Sequence, residues 1–321
     1  MRCLIESSVK PWLPALQPTR PTPVARLHQS EQCWWPLLSR AENLHVLDAT
    51  SFPAARMWQA LAIVDDSPIS QFDILVDASR TSVELPENLA CLALTGTGFH
   101  GNRRRPWHAL RGNLHFSSFS RFRLNAARCG PALSMLPTLA VTDVLRPRFG
   151  NRCWIKWVND VYLDDAKVSG SLVSTDIRGE AIQSFVLGIG VNVESVPNLT
   201  DSGFAPRVTS LRREGMCVAL SEVFDCLLVA LSNRLRQLRE TGPESWFGDY
   251  HRRSGVLGRI ASVFPEHASS PSDIAPLATG RVQAIHPDLS LQLDSRTESF
   301  QNGRLHLHPE RSVFPLTSRC G

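Results

Sequence analysis

The stretch WIKWVNDVYLDDAKVSGSLVS, residues 154–174, decides how the chain is read. Two apolar, strand-like runs flank Asn159-Asp160, and each carries a lysine: Lys156 directly before Trp157, and Lys167 just before a run containing Gly170. An ammonium buried without an anionic partner is costly to desolvate. Two lysines in one such segment therefore ask for a negatively charged ligand. The plain alternative is that both snorkel to solvent at strand ends and that Asn-Asp makes an ordinary turn.

A second stretch, GTGFHGNRRRPWHALRGNLHFSS (96–118), combines glycines with Arg103, Arg104 and Arg105 and then Trp107. Backbone amides that can approach closely, beside guanidinium forks, suit phosphate oxygens. Trp107 could stack on a flat ring or close a lid. Taken alone, such a loop is more often a solvated connection. Gly188 and Gly190 in LGIGVN could simply relieve packing. They lack the third glycine and the following helix of a dinucleotide fold.

The whole chain narrows the classes. Its 321 residues suit two domains or one large one, and 43% hydrophobic with 20% charged residues is ordinary for a globular protein. A net charge of +4 admits anionic ligands without the broad basic face of a nucleic-acid binder. The eight cysteines form no CxxC pair, so a zinc site or disulfide framework is not expected. No apolar run reaches membrane-span length, and a cytoplasmic address is expected.

Residues 1–43, rich in proline, read as a non-catalytic surface extension, and no helix-turn-helix fits among those prolines. From 44 to 240 strands and helices mix. LHVLDATSFPAARMWQAL reads as strand, turn and helix, ILVDA and CLALTG as buried strands, and NLHFSSFS as another strand. ALSMLPTLAVTDVLRPRF reads as a helix with Pro137 near its start or at a kink. LSEVFDCLLVALSNRLRQL is the clearest helix, with an apolar stripe from Val223 to Leu238. After that, at 250–321, short alternating strands separated by turn signals such as Asn302-Gly303 read as a small β-barrel.

Together these segments resemble the catalytic domain of the biotin protein ligases, within the biotin/lipoate ligase family. Asp48-Ala49-Thr50-Ser51 stands for that family's DSTN-like turn, and GFHGNRRRPW leading to GNLHFS stands for its glycine/arginine loop. KWVNDVYLDDAKVSGSL and GIGVN follow in the family's order. The resemblance implies an α+β fold, a mixed sheet flanked by helices of the class II synthetase type, with an SH3-like C-terminal barrel. It implies ATP and Mg²⁺, biotin or a related carboxylic acid as substrate, and a carrier-domain protein with an acceptor lysine as partner. Neither DNA nor membrane is implied.

The same resemblance makes Lys167 the catalytic residue and a substrate contact with Thr50, Gly98, His100, Gly101 and Gly188. It assigns Asn102, Arg105, Trp107, Asn113, Lys156, Asn159 and Asn192 to the nucleotide, and Asp160 to the metal. Some positions depart from the family pattern. Ala49 replaces a serine, Gly96 a glutamine, and His100 and Asn102 two arginines. The expected activity is formation of biotinyl-adenylate and transfer to the carrier lysine. A lipoate or octanoate ligase or transferase, and a catalytically weak binding protein, are the alternatives.

Overall fold

The computed structural model describes residues 1–9, 20–48, 56–198, 204, 207–272 and 274–309. They fall into two compact units, Met1–Thr200 with Arg207–Gly255, and Asp201–Pro206 with Val256–Gly321.

The first unit is a mixed sheet. Its strands are β1 (Arg2–Glu6), β2 (Thr22–Pro23), β3 (Asn43–Asp48), β4 (Ala60–Ser67), β5 (Asn88–Gly96), β6 (Leu114–Ser120), β7 (Leu124–Asn125), β8 (Cys153–Lys156), β9 (Asp160–Leu163), β10 (Ala166–Arg178) and β11 (Ala181–Val191). Their spatial order is β2-β3-β1-β4-β5-β6-β11-β10-β9-β8, with β7 beside β11. β4 pairs in parallel with both β1 and β5. The run from β5 through β6, β11, β10 and β9 to β8 is antiparallel.

Five α-helices accompany the sheet among the described residues: α1 (Gln29–Leu38), α2 (Gln71–Ser79), α3 (Ala126–Phe149), α4 (Leu220–Glu240) and α5 (Glu244–Arg253). Side chains alternate along a strand, so Phe116 and Phe119 of β6 face opposite ways. Phe119 joins the core that Trp34, Trp35 and Leu38 of α1 and Leu75 and Ala78 of α2 form with β4 and β5. Phe116 meets Trp58 and Phe224 of α4, with ring centroids 6.1 and 6.4 Å away.

The second unit holds its own antiparallel sheet, of β12 (Ile260–Phe264), β13 (Ala278–Ile285), β14 (Leu291–Leu293) and β15 (Arg304–Leu307), in the order β14-β13-β12-β15. The alternating tail thus builds a separate small sheet and does not extend the large one. Inside this unit Phe204 packs edge-on against Phe264 at 5.2 Å, and the Arg304 guanidinium lies 3.8 Å from the Phe204 centroid.

Three local expectations change. ILVDA lies in α2, not in a strand: buried Gln71, Leu75 and Ala78 are spaced four and three apart, and a short apolar run alone cannot tell helix from strand. Ala60 and Leu61, expected in a helix, begin β4. That strand lies between parallel neighbours and is buried on both faces, which gives a continuous apolar run. The opening residues, expected on the surface, supply β1 between β3 and β4, with Cys3 and Leu4 fully buried. Pro131 and Pro137 both sit inside α3, away from its start.

Candidate active site

One cross-strand row organises the site. In register, Lys156 of β8 faces Asp160 of β9, Asp160 faces Gly170 of β10, Gly170 faces Gly190 of β11, and Gly190 faces His115 of β6. Directly opposed residues project to the same face of a sheet, so this row displays two charged groups, two bare backbone positions and an imidazole on one surface. Gly188, two residues before Gly190, opens onto the same surface.

The glycines are required by close approach. A Cβ at Gly190 would lie 2.3 Å from the Trp107 indole, and one at Gly188 would lie 3.0 Å from the Phe72 ring of α2. A Cβ at Gly170 would lie 3.1 Å from Lys167 Nζ and 3.3 Å from Asp160 Oδ1. Trp107 and the Lys167 ammonium therefore stand side by side over adjacent strands. The floor beneath them is backbone.

Lys167 reaches this place through an irregularity. The β9–β10 register shifts between Lys167 and Ser169, and such a bulge re-aims a side chain. The backbone of Lys167 is held by residues 207–209: its N–H donates to the Arg207 carbonyl at 2.9 Å, and its carbonyl accepts from Thr209 N at 3.0 Å. Its Nζ pairs with Asp160 Oδ1 at 2.6 Å, each side chain about one-fifth exposed (21% and 23%). Lys156 is buried, with Nζ 3.4 Å from Tyr162 Oη and 5.4 Å from its ring centroid.

Several expected ligand contacts act on the chain itself. Asn113 Oδ1 accepts from the backbone N–H groups of Val193, Glu194 and Ser195 at 3.0, 3.1 and 2.9 Å. Its Nδ2 donates to the Ser195 carbonyl and to Asn192 Oδ1. Asn192 Nδ2 donates to the Thr209 carbonyl at 3.0 Å, and its backbone N–H to Val168. Asn159 Nδ2 donates to the Ser171 carbonyl at 2.6 Å, while the Asn159 carbonyl accepts from Ser171 N. These three asparagines brace the wall through bonds to the chain itself. From α5, Tyr250 Oη donates to the Val158 carbonyl at 2.9 Å. Burial first, and the Asp160 carboxylate second, push that phenol up, so it stays a donor.

The 96–107 loop forms the rim. Gly98 has φ +44°, and a Cβ there would lie 2.9 Å from the Pro68 carbonyl. His100 Nε2 lies 2.7 Å from Asp73 Oδ2 of α2, and its Nδ1 lies 2.9 Å from the Gly101 carbonyl. Gly101 N donates to the Arg105 carbonyl, and Arg105 Nε donates to the Asn102 carbonyl at 2.9 Å. Arg103 and Arg104 adopt φ of 57° and 54°, left-handed values that side chains rarely take. Trp107 thus covers the glycine floor at Gly190, Gly98 lies against the Pro68 carbonyl and His100 against Asp73, whereas Asn102 and Arg105 are exposed.

Position 96 has no room for the family's glutamine. A Cβ there would lie 2.4 Å from both the Phe99 ring and the Ser67 carbonyl. Ala49 and Thr50 lie outside the described residues. The strand–turn–helix bordering this rim is instead β4, Ser67-Pro68-Ile69-Ser70 and α2, where Thr97 N donates to the Ser67 carbonyl at 3.2 Å. IVDDSPISQFDIL carries the same strand–Asp–Ser–Pro signal as the earlier segment.

Sequence reasoning also missed His115. It is buried, and desolvation lowers its pKa to about 4 despite its hydrogen bond to Leu110. Trp107 Nε1 donates to His115 Nδ1 at 3.3 Å, and His115 Nε2 donates to the Leu110 carbonyl at 3.0 Å. Neutral and fixed in one tautomer, it holds the indole over Gly190. A histidine inside an alternating strand gives little sequence signal.

Residues 63–192 match the biotin/lipoate A/B protein ligase family, and this span holds the whole row while excluding residues 48–51. Among curated relatives the chain is 27% identical over 176 residues to the bifunctional ligase/repressor BirA of Bacillus subtilis, covering 53% of this chain and 54% of that one. It is 32% identical over 146 residues to the biotin--[acetyl-CoA-carboxylase] ligase of Paracoccus denitrificans, covering 44% and 60%. The chain thus spans a little over half the length of these relatives. Its fold is similar to that of the biotin protein ligase from Aquifex aeolicus in complex with biotin and ATP, at TM-score 0.57 and 22% identity, covering 77% of this chain and 98% of that one.

Proposed function

We propose that the chain is an ATP-dependent biotin–protein ligase. The observation that carries this reading is the row Lys156–Asp160–Gly170–Gly190, with Lys167 and Trp107 standing over it. The floor has no side chains of its own and is covered by Trp107 and Phe72; when these move aside a flat ring and a phosphate can approach the backbone closely, and two lysines on the same face supply charge where the reaction gathers it.

In the first step a biotin carboxylate oxygen attacks the α-phosphorus of ATP. The new O–P bond forms as the bond to the β-phosphate oxygen breaks, and pyrophosphate leaves. The Lys167 ammonium, freed from Asp160 by a more strongly charged partner, stabilises the charge growing around that phosphorus. Lys156 offsets the remaining phosphates. In the second step a carrier lysine amine attacks the acyl carbon, an amide forms and AMP leaves with the bonding pair. Trp107, held by His115, covers the floor and keeps water from the mixed anhydride.

Among the described residues no cluster of three metal-ligating groups exists. Mg²⁺ fits this site as the companion of ATP, with Asp160 offering one oxygen and the phosphates most of the rest. Bound in that way it would neutralise phosphate charge. Gly98, His100 and Gly101 border the acid, and Arg105 and Asn102 reach the nucleotide when the loop closes.

Pyrophosphate release measured with biotin, lipoate, octanoate and no acid tests the reading. Release that depends on biotin, followed by label transfer to a carrier domain, supports it. Biotin binding without pyrophosphate release overturns it.

A further inference from the structure

The family match begins at residue 63, so strand β1, which opens the chain, lies outside it. Arg2 N donates to the Gln59 carbonyl, and the parallel β1–β4 pairing runs from Arg2 with Ala60 to Ile5 with Ile63. Parallel ladder bonds are evenly spaced and repeat at every second residue, so the Asp65 N–H is the next β4 donor toward β1. Its ladder acceptor would be the Glu6 carbonyl, but that oxygen accepts from Val9 N at 3.0 Å as the chain turns away. The Glu6 side chain fills the gap. Its Oε2 accepts from Asp65 N at 2.8 Å, with Ser8 Oγ 3.4 Å away. Its Oε1 accepts from Ser39 Oγ, just past α1, and Glu6 is only 8% exposed.

This carboxylate holds the exit of β4. Asp65 Oδ1 pairs with Arg111 Nη1 at 2.8 Å, two residues before Asn113. Two residues after Asp65, the Ser67 carbonyl accepts from Thr97 N at 3.2 Å, and the Pro68 carbonyl accepts from Thr97 Oγ1 at 3.2 Å. The strand end gripped by Glu6 therefore carries the root of the 96–107 loop and, through Arg111, the turn before β6. A backbone N–H bonded to a carboxylate makes a stronger bond than one bonded to a neutral carbonyl. We propose that Glu6 is a positioning residue: its side chain continues the ladder, fixes the β4 exit and so sets the resting place of the glycine loop. This rests on the ligase reading of the site. Glu6 acts through Asp65 and Ser67 and not on the substrate itself.

Losing this hold frees the root of the loop and leaves the lysines of the wall where they are. The effect therefore falls on binding of the acid, over which the loop closes, and much less on the chemical step. Small misplacements transmitted from outside a site are costly, because productive geometry tolerates little error.

The test is biotin-dependent pyrophosphate release by wild type, Glu6→Ala, Glu6→Met, Glu6→Gln and Ser39→Ala, each assayed well below its own melting temperature. Glu6→Met keeps the length of the side chain without its acceptor. Glu6→Ala and Glu6→Met raise the biotin KM about tenfold, the scale of one hydrogen bond. Their kcat changes by less than about twofold. Amide exchange followed by NMR quickens at Asp65 in both, and holds at Ile63, one ladder step earlier. Glu6→Gln still offers an oxygen to Asp65 N and restores most of the wild-type KM. Ser39→Ala removes only the bond on the α1 side, so it lowers the melting temperature and leaves KM unchanged. A wild-type KM in Glu6→Ala and Glu6→Met overturns the assignment of Glu6 and leaves the ligase reading standing. So does an equal rise of KM in Ser39→Ala, the signature of general loosening. A wild type without biotin-dependent release overturns the ligase reading and this inference with it.

Discussion

The β8–β11 wall and the 96–107 loop both carry the charged residues of the site, but they are held in different ways. The wall is fixed by strand register. Lys156, Asp160, Gly170 and Gly190 cannot shift singly without breaking ladder bonds, and Asn113 and Asn192 brace it with buried hydrogen bonds and Asn159 with a part-buried one. The loop is held by a few side-chain contacts, His100 to Asp73 of α2 and Arg105 to its own Asn102 carbonyl among them. Preorganised charge belongs on the first kind of structure, because it must not move as the reaction proceeds. A cover that opens and closes belongs on the second.

The comparison can be broken most sharply at Lys167. Lys167→Ala lowers biotinyl-adenylate formation by about two to three orders of magnitude, the scale of losing one preorganised charge-stabilising group. The loss falls on the rate at saturating biotin and ATP, since the charge acts on the transition state. Lys167→Arg recovers only part of it, because a planar fork does not replace a compact ammonium. Quenched-flow measurement of biotinyl-adenylate reads this directly. A variant with the wild-type rate would remove Lys167 from the chemistry.

Asn113→Ala probes the bracing. It leaves three backbone N–H groups at 193–195 without their acceptor and costs about 3 kcal/mol of stability, measured by urea unfolding. A cost near zero would mean that the wall stands without its braces.

A comparable effect concerns pH. His115 is neutral in the folded chain down to about pH 4, whereas in the unfolded chain it takes a proton near 6.5. The unfolded state therefore binds more protons between these values. Stability is fully present above about pH 6.5 and falls as pH drops toward 4, by about 3 kcal/mol. Unfolding at pH 7, 5.5 and 4.5 shows this slope in wild type, and His115→Asn flattens it. An unchanged slope in the variant would assign the loss to other groups.

The smallest effect is expected in the loop. Asp73→Asn weakens a part-exposed His100 contact and costs under about 1 kcal/mol of stability, but it raises the biotin KM more than it lowers kcat. Equal changes in both would mean that the loop contributes to the chemical step as the wall does.

These contrasts also explain what the sequence revealed. The wall was legible because its residues are close in sequence: a hairpin puts Lys156, Asp160, Lys167 and Gly170 within fifteen positions. The glycine loop and GIGVN were legible as composition, but not as neighbours of Phe72 and Trp107. The turn before α2 and the residues after β3 carry nearly the same local signal in sequence, IVDDSPIS and VLDATSFP. Only packing against Gly96 and Gly98 separates them. Asn113 and Asn192 looked like ligand contacts, since a buried amide gives the same sequence signal whether its partner is backbone or nucleotide. His115 left no trace, because it is a histidine in an alternating strand.

The most direct test of the account is a crystal structure with a non-hydrolysable biotinyl-adenylate analogue. The account predicts the linking group over Gly170 and Gly190, with Lys167 Nζ turned from Asp160 to within about 3 Å of its phosphate or carbonyl oxygen. An analogue bound away from this row, or Lys167 still paired with Asp160 and out of reach, would contradict it.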